Sequence, residues 1–209
     1  MPDPHALVMF VAAGLLLNIT PGPDVLYIVG RSLSQGRAAG VTSAVGIAAG
    51  CLVHIAAAAL GLSALMLTWP LAYDIVRYVG AGYLIWLGAG ALRSGAGALH
   101  VPGLERVSLG LAFRQGMVTN ILNPKVALFF LAFVPQFTDA ARGSLAVQFV
   151  LLGFIFVGNG LLVCLAYACA ASWLGEWLKT RAGLSTWLNR ATGVLFISIG
   201  VRLALGDRR

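Results

Sequence analysis

The chain has 209 residues, 59% of them hydrophobic and 10% charged, with a mean hydropathy of +0.90. That composition excludes a soluble globular domain and fits a polytopic membrane protein. The net charge of +7 is not a nucleic-acid footprint, because the Lys and Arg residues stand singly in short loops between apolar runs.

The start, Met1-Pro2-Asp3-Pro4-His5, lacks the basic region of a cleavable signal peptide, so the first apolar run is expected to remain as a span. Six spans fit best, near residues 6–29, 38–68, 71–92, 111–134, 145–171 and 188–205, since about 20 apolar residues cross a bilayer core. Residues 38–73 and 145–171 contain no Asp, Glu, Lys or Arg. The second run is too long for one helix, and Trp69-Pro70 splits it, because proline disfavours helix in the residue before it. The longest loop, 93–110, is too short and glycine-rich for a soluble unit, so residues 1–209 read as one transmembrane domain.

Loop cations set an expected orientation. Arg31, Arg37, Arg93, Arg106, Arg114, Lys179, Arg181 and Arg190 lie around loops one, three and five. Arg77, Arg142, Arg202, Arg208 and Arg209 lie on the other side. The excess places the odd loops in the cytoplasm and both termini outside. Three spans plus three then make the halves antiparallel, an inverted repeat of about 1–95 and about 105–209.

The first and fourth spans are each interrupted. One break reads Asn18-Ile19-Thr20-Pro21-Gly22-Pro23-Asp24, the other Asn120-Ile121-Leu122-Asn123-Pro124-Lys125. Paired Pro/Gly-broken segments in corresponding halves point to a transporter's binding site. Proline removes an amide donor and clashes with the carbonyl four residues back. Pro21 and Pro23 should therefore free the carbonyls of Leu17 and Ile19, and Pro124 that of Asn120. Thr20-Pro21 and Asn123-Pro124 each look like an N-cap followed by proline at the first helical position, restarting a half-helix whose positive end lies near mid-membrane. Lys125 with the second helix end makes a pole for a carboxylate, and Asp24 with the freed carbonyls makes one for an ammonium. A zwitterionic amino acid has that shape. The rival reading is a plain structural pair between Asp24 and Lys125. A charge at the bilayer centre costs about 2.5–3.5 kcal/mol, so such residues seldom persist without a role.

Other positions are weaker candidates. Asn18, Asn120 and Asn123 either line a cavity or bond between helices. His54 continues a stripe of Gly46, Gly50 and Ala58 at i+4 spacing, which reads first as a packing face and second as part of a proton route. Asn159, between Gly158 and Gly160, is treated alike. Gln115 and Gln136 are expected near the ends of span four in interfacial roles. Cys51, Cys164 and Cys169 lie in apolar runs and read as small packing residues. No HExxH, GxSxG or Walker lysine loop is present, and acids and histidines are too few for a metal cluster, so no metal or cofactor is implied.

The segment Asn18 to Asp24, followed by Gly30-Arg31-Ser32 and Gly36-Arg37-Ala38-Ala39-Gly40, closely resembles the LysE/RhtB family of bacterial amino-acid exporters. So does Gly116-Met117 through Asn120-Ile121-Leu122-Asn123-Pro124-Lys125-Val126-Ala127-Leu128-Phe129-Phe130, and the resemblance covers nearly the whole chain. It implies proton-driven efflux of amino acids or close derivatives across the bacterial inner membrane. Asp24 and Asp74 are the only acids in the first three spans or their ends, which favours a neutral substrate over a dicationic one. The expected partners are the amino acid, protons and membrane lipid, and glycine-rich faces permit a homodimer. Competing readings are a transporter of another solute or cation, a non-transporting membrane scaffold and an intramembrane enzyme.

Overall fold

The computed structural model describes residues 4–20, 22–62 and 106–180, together with isolated positions 75, 78, 82, 85, 86, 89, 92, 93, 194, 197, 198 and 201. Pro21 and, apart from those positions, the expected third and sixth spans lie outside the described residues.

Among the described residues the chain is all helix, with no strand. Helix α1 (Pro4–Ile19) ends where Thr20 turns back on it. The Thr20 hydroxyl donates to the Leu16 carbonyl at 2.6 Å. Helix α2 (Pro23–Gln35) starts from Gly22, whose backbone is extended, with Pro23 at the first helical position. The expected Thr20 N-cap is thus corrected: Thr20 closes α1, and the residue that opens α2 is Gly22, without a side-chain cap. The two helices bend by 50° at this break. The first span also runs beyond its expected end at 29, so Arg31 lies inside α2 and is only 4% exposed, rather than in a loop.

Gly36 separates α2 from α3 (Arg37–Ala57). Its φ of +87° suits glycine, and its N–H closes α2 on the Ser32 carbonyl at 2.9 Å. A π turn, Ala58–Leu62, prolongs α3. Helix α4 (Leu109–Ile121) is capped by the Ser108 hydroxyl, which accepts from Leu111 N–H. Asn123 caps α5 (Pro124–Leu128), its Oδ1 accepting from Lys125 N–H at 3.0 Å, with Pro124 in first position as expected. This helix is only five residues long and passes into a π turn at Phe129–Phe133 and a 3-10 turn at Val134–Phe137. The second half-helix is therefore shorter than a uniform restart would be. Helix α4 and the segment from Pro124 to Phe137 bend by 46°. Helix α6 (Leu145–Thr180) starts at the expected residue.

Residues 37–61 and 145–171 are long and apolar enough to cross a bilayer, and each bent pair taken as one span brings the number to four. This is a multi-pass membrane protein. Helix α3 packs on α4 and α6, and α6 packs on α1 and α2. The α3–α4 approach is close because Gly46, Gly50 and Gly116 are there. A Cβ on each would run into the carbonyl of Phe113, Met117 or Ser43 respectively. The glycine stripe is the packing face its spacing suggested.

Two apolar cores sit above and below the breaks. One gathers Phe10, Leu17, Ile55, Phe129, Phe133 and Phe156, the other Ile28, Ala44, Ile47, Cys164 and Ala168. Thr20, Asp24, Asn120 and Asn123 lie buried between them.

Candidate functional site

The two breaks come together. Asp24, in the first turn of α2, is 8% exposed and its Oδ2 accepts from Asn120 Nδ2 at 2.8 Å. Asn120 is the last polar residue before the second break, so this bond joins the halves across 96 positions of sequence. The Lys125 ammonium crosses the other way and donates to the carbonyls of Leu17 at 3.0 Å and Thr20 at 3.1 Å. Its third N–H has no partner among the described residues. Lys125 thus engages backbone carbonyls of the first break, although the sequence pattern had it waiting for a carboxylate. Among the described residues the ion pair within 4.0 Å is Asp139 with Arg142, far along the chain. Asp24 and Lys125 are not a directly bonded pair.

All three carbonyls expected to be released by the prolines have side-chain donors. Leu17 takes the Lys125 ammonium. Ile19 accepts from the Tyr167 hydroxyl of α6 at 2.7 Å. Asn120 meets His54 Nε2 of α3 at 3.0 Å. The Leu17 and Asn120 carbonyls also accept from the backbone N–H groups of Thr20 at 3.2 Å and Asn123 at 2.9 Å, so each carbonyl is satisfied within the protein, as a water-free membrane interior requires. Each long helix supplies one side-chain donor to the break of the opposite half. His54 also stacks on Phe130, with ring centroids 6.1 Å apart.

A cavity of about 30 Å³ opens between the breaks. Asn18, Asp24, Asn120 and Lys125 form its polar wall, and Val25, Ile47, Phe156 and Leu161 are among its apolar residues. The volume admits a water or two and is well below a usual ligand pocket. Asn18 Nδ2, Asp24 Oδ1, Asn120 Oδ1 and Asn123 Nδ2 are buried without a hydrogen-bond partner among the described residues. Two are donors and two are acceptors. The Asn123 amide faces the Asp24 carboxylate without reaching bonding geometry. Gly22 leaves room for Lys125, since a Cβ there would stand 3.1 Å from its ammonium nitrogen. Pro23 and Pro124 are exposed, each at the first position of its helix. Asn159 is half-buried and does not line the cavity, whereas its neighbour Gly160 does, close to Asn18.

Residues 15–207 match the LysE type translocator family. The chain belongs to that family. Among relatives of this LysE-type protein, a homoserine/homoserine lactone efflux protein of Salmonella typhimurium (strain LT2) is 32% identical over 196 residues, covering 93% of this chain and 94% of the relative. A leucine efflux protein of Enterobacter sp. (strain 638) is 29% identical over 198 residues, covering 93% of each. An uncharacterized membrane protein of Vibrio cholerae is 27% identical over 202 residues, covering 97% of this chain and 98% of the relative. No solved structure matches the chain. Membership makes this LysE-type chain a membrane transport protein and not an enzyme.

Sequence reasoning passed over two features of this LysE-type chain. Tyr167 gave no signal beyond an aromatic in an apolar run. Arg31 and Gln115 looked like loop and interface residues, yet both join a hydrogen-bonded cluster between α2 and α4. Their spacing from Asp24 and Asn120 on the same helices was the available clue.

Proposed function

We propose that the protein is a secondary active transporter that exports small neutral amino acids, or close derivatives, across the bacterial inner membrane in exchange for protons. The observation that carries this reading is the set of buried, unpartnered donors and acceptors between the breaks. Buried polar atoms are normally bonded, and a zwitterion supplies both kinds of partner. Asp24 Oδ1 and Asn120 Oδ1 take the ammonium. Asn18 Nδ2 and the third Lys125 N–H take the carboxylate, while the Asn123 amide, which faces Asp24, steadies that side chain. Thr20, Gly22, Pro23 and Pro124, with Pro21, shape the breaks that bring these groups together.

The relatives' names rank the two poles. Homoserine, its lactone and leucine all carry an ammonium, while the lactone has no free carboxylate. The acceptor pair is therefore the anchor and the donor set the adjustable part. Apolar residues such as Ile47, Phe156 and Leu161 receive a neutral side chain. The cavity is too small for an amino acid, so loading requires the helices to separate. A carboxylate in this setting needs a neutralising partner, and a proton and the substrate ammonium are alternatives at Asp24. Their mutual exclusion is what antiport requires. A carrier of bare cations is disfavoured by the ammonium of Lys125 on the cavity wall.

The reciprocal packing of α3 and α6 supports two inverted three-helix repeats in one domain, and the cation excess around the odd loops supports both termini outside. The direct test is counterflow in liposomes with a panel of amino acids. Homoserine, threonine and leucine are expected to exchange, and lysine and glutamate are not. Absence of exchange with every amino acid, or preference for lysine, would overturn the reading.

A further inference from the structure

A second polar group lies outside the cavity and has no part in the site described. Tyr27, Arg31 and Gln35 follow Asp24 on α2 at steps of three, four and four residues, so they form one stripe from the cavity to the end of the helix. Arg31 is buried, and its guanidinium donates to Tyr27 Oη at 3.2 Å, Gln35 Oε1 at 2.7 Å and Gln115 Oε1 at 2.6 Å. The Tyr27 hydroxyl lies 2.9 Å from the Ala112 carbonyl and 3.1 Å from Gln115 Oε1. Gln35 closes the far end with two bonds to the backbone of Val107, at 2.7 Å and 3.0 Å. Among the described residues, these partners outside α2 belong to residues 107–115, at the start of the second half.

The opposite side of the cavity is closed differently. There Phe10 meets Phe129, Phe133 and Phe137 with ring centroids 5.3–6.3 Å apart, an aromatic plug without hydrogen bonds between its rings. Holding α2 against α4 would need no more than such packing. A buried guanidinium and two glutamines are an expensive way to do it, and intramembrane polar residues of this kind mark solute paths. The cross-helix bonds all involve side chains, so they can part without unwinding either helix.

We propose that Tyr27, Arg31, Gln35 and Gln115 are a zipped gate. They close the substrate's route between the cavity and the membrane face where residues 36 and 106–108 lie, and the seam between α2 and α4 is that route when they part. The proposal rests on the transport reading of the cavity. It differs in what it predicts, because opening can be read without any substrate.

The protein carries its own reporters, since Cys51 and Cys164 are buried and line the cavity, while Cys169 is exposed. In a Cys169→Ser background, Gln115→Ala and Gln35→Ala would each be placed in vesicles of both orientations. The readout is the rate at which Cys51 and Cys164 react with a small, membrane-impermeant ammonium methanethiosulfonate. Losing a bond to the buried guanidinium should populate the open form about tenfold more. Labelling is expected to quicken by about that factor from the side of residue 36 and to stay unchanged from the other. Unaltered rates in both variants, with melting curves showing them folded, would overturn the gate. So would equal acceleration from both sides, which marks a loosened bundle. Accelerated one-sided labelling in a protein that exchanges no amino acid would uphold the gate while removing the transport reading.

Discussion

Lys125 shows how far single residues were legible in this chain. Proline chemistry named the carbonyls that would lose their helical donors, and those of Leu17, Ile19 and Asn120 are each bonded by a side chain. The identity of the donors was not legible. Lys125, Tyr167 and His54 lie 108, 148 and 66 positions from their acceptors, and nothing local marks such pairings. The same geometry gives Lys125 a structural share in the site. Lys125→Met would keep the volume and leave the Leu17 and Thr20 carbonyls without this donor in an apolar interior. The expected loss is about 2–3 kcal/mol of stability, seen as a lower melting temperature in detergent. Unchanged melting would mean that the ammonium bonds contribute nothing net.

At the level of helices, the breaks and the glycine stripe were readable and the exact joints were not. Pro124 and Asn123 form the expected cap, because an Asn side chain before proline can accept from the helix it opens. The first break misled. Thr20 has an alternative acceptor one turn back, at Leu16, and takes it, so the helix restarts at Gly22-Pro23 instead. Arg31 was hidden for a related reason: a charge near the end of an apolar run looks like a loop residue until its partners on α4 are known. The α3–α4 seam offers a sharp test of packing. Gly50→Ala would push a methyl against the Met117 carbonyl and the Asn120 side chain, for an expected loss of about 1–3 kcal/mol. Gly158→Ala, where nothing among the described residues lies within 4 Å of the added carbon, should be neutral or slightly stabilising. Comparing the two melting temperatures checks this, and equal values would contradict the close approach.

Across the whole molecule, the sequence pattern conveyed a membrane protein with two interrupted segments. The structure adds that the interruptions face each other between two apolar cores. Each long helix serves the opposite half: α3 brings His54 to the second break and α6 brings Tyr167 to the first. That cross-bracing is a tertiary property and has no signature in hydropathy. It gathers the unpartnered polar atoms of Asn18, Asp24, Asn120 and Asn123 in one place. The most direct measurement is the affinity of purified, reconstituted protein for a neutral amino acid as pH is lowered from neutral, in the native chain and in Asp24→Asn. Proton and substrate compete for one carboxylate in this account, so native affinity should fall as pH falls. The variant should bind about tenfold or more weakly, with a flat profile. An Asp24→Asn protein that binds as tightly as the native one, with the same pH dependence, would contradict it.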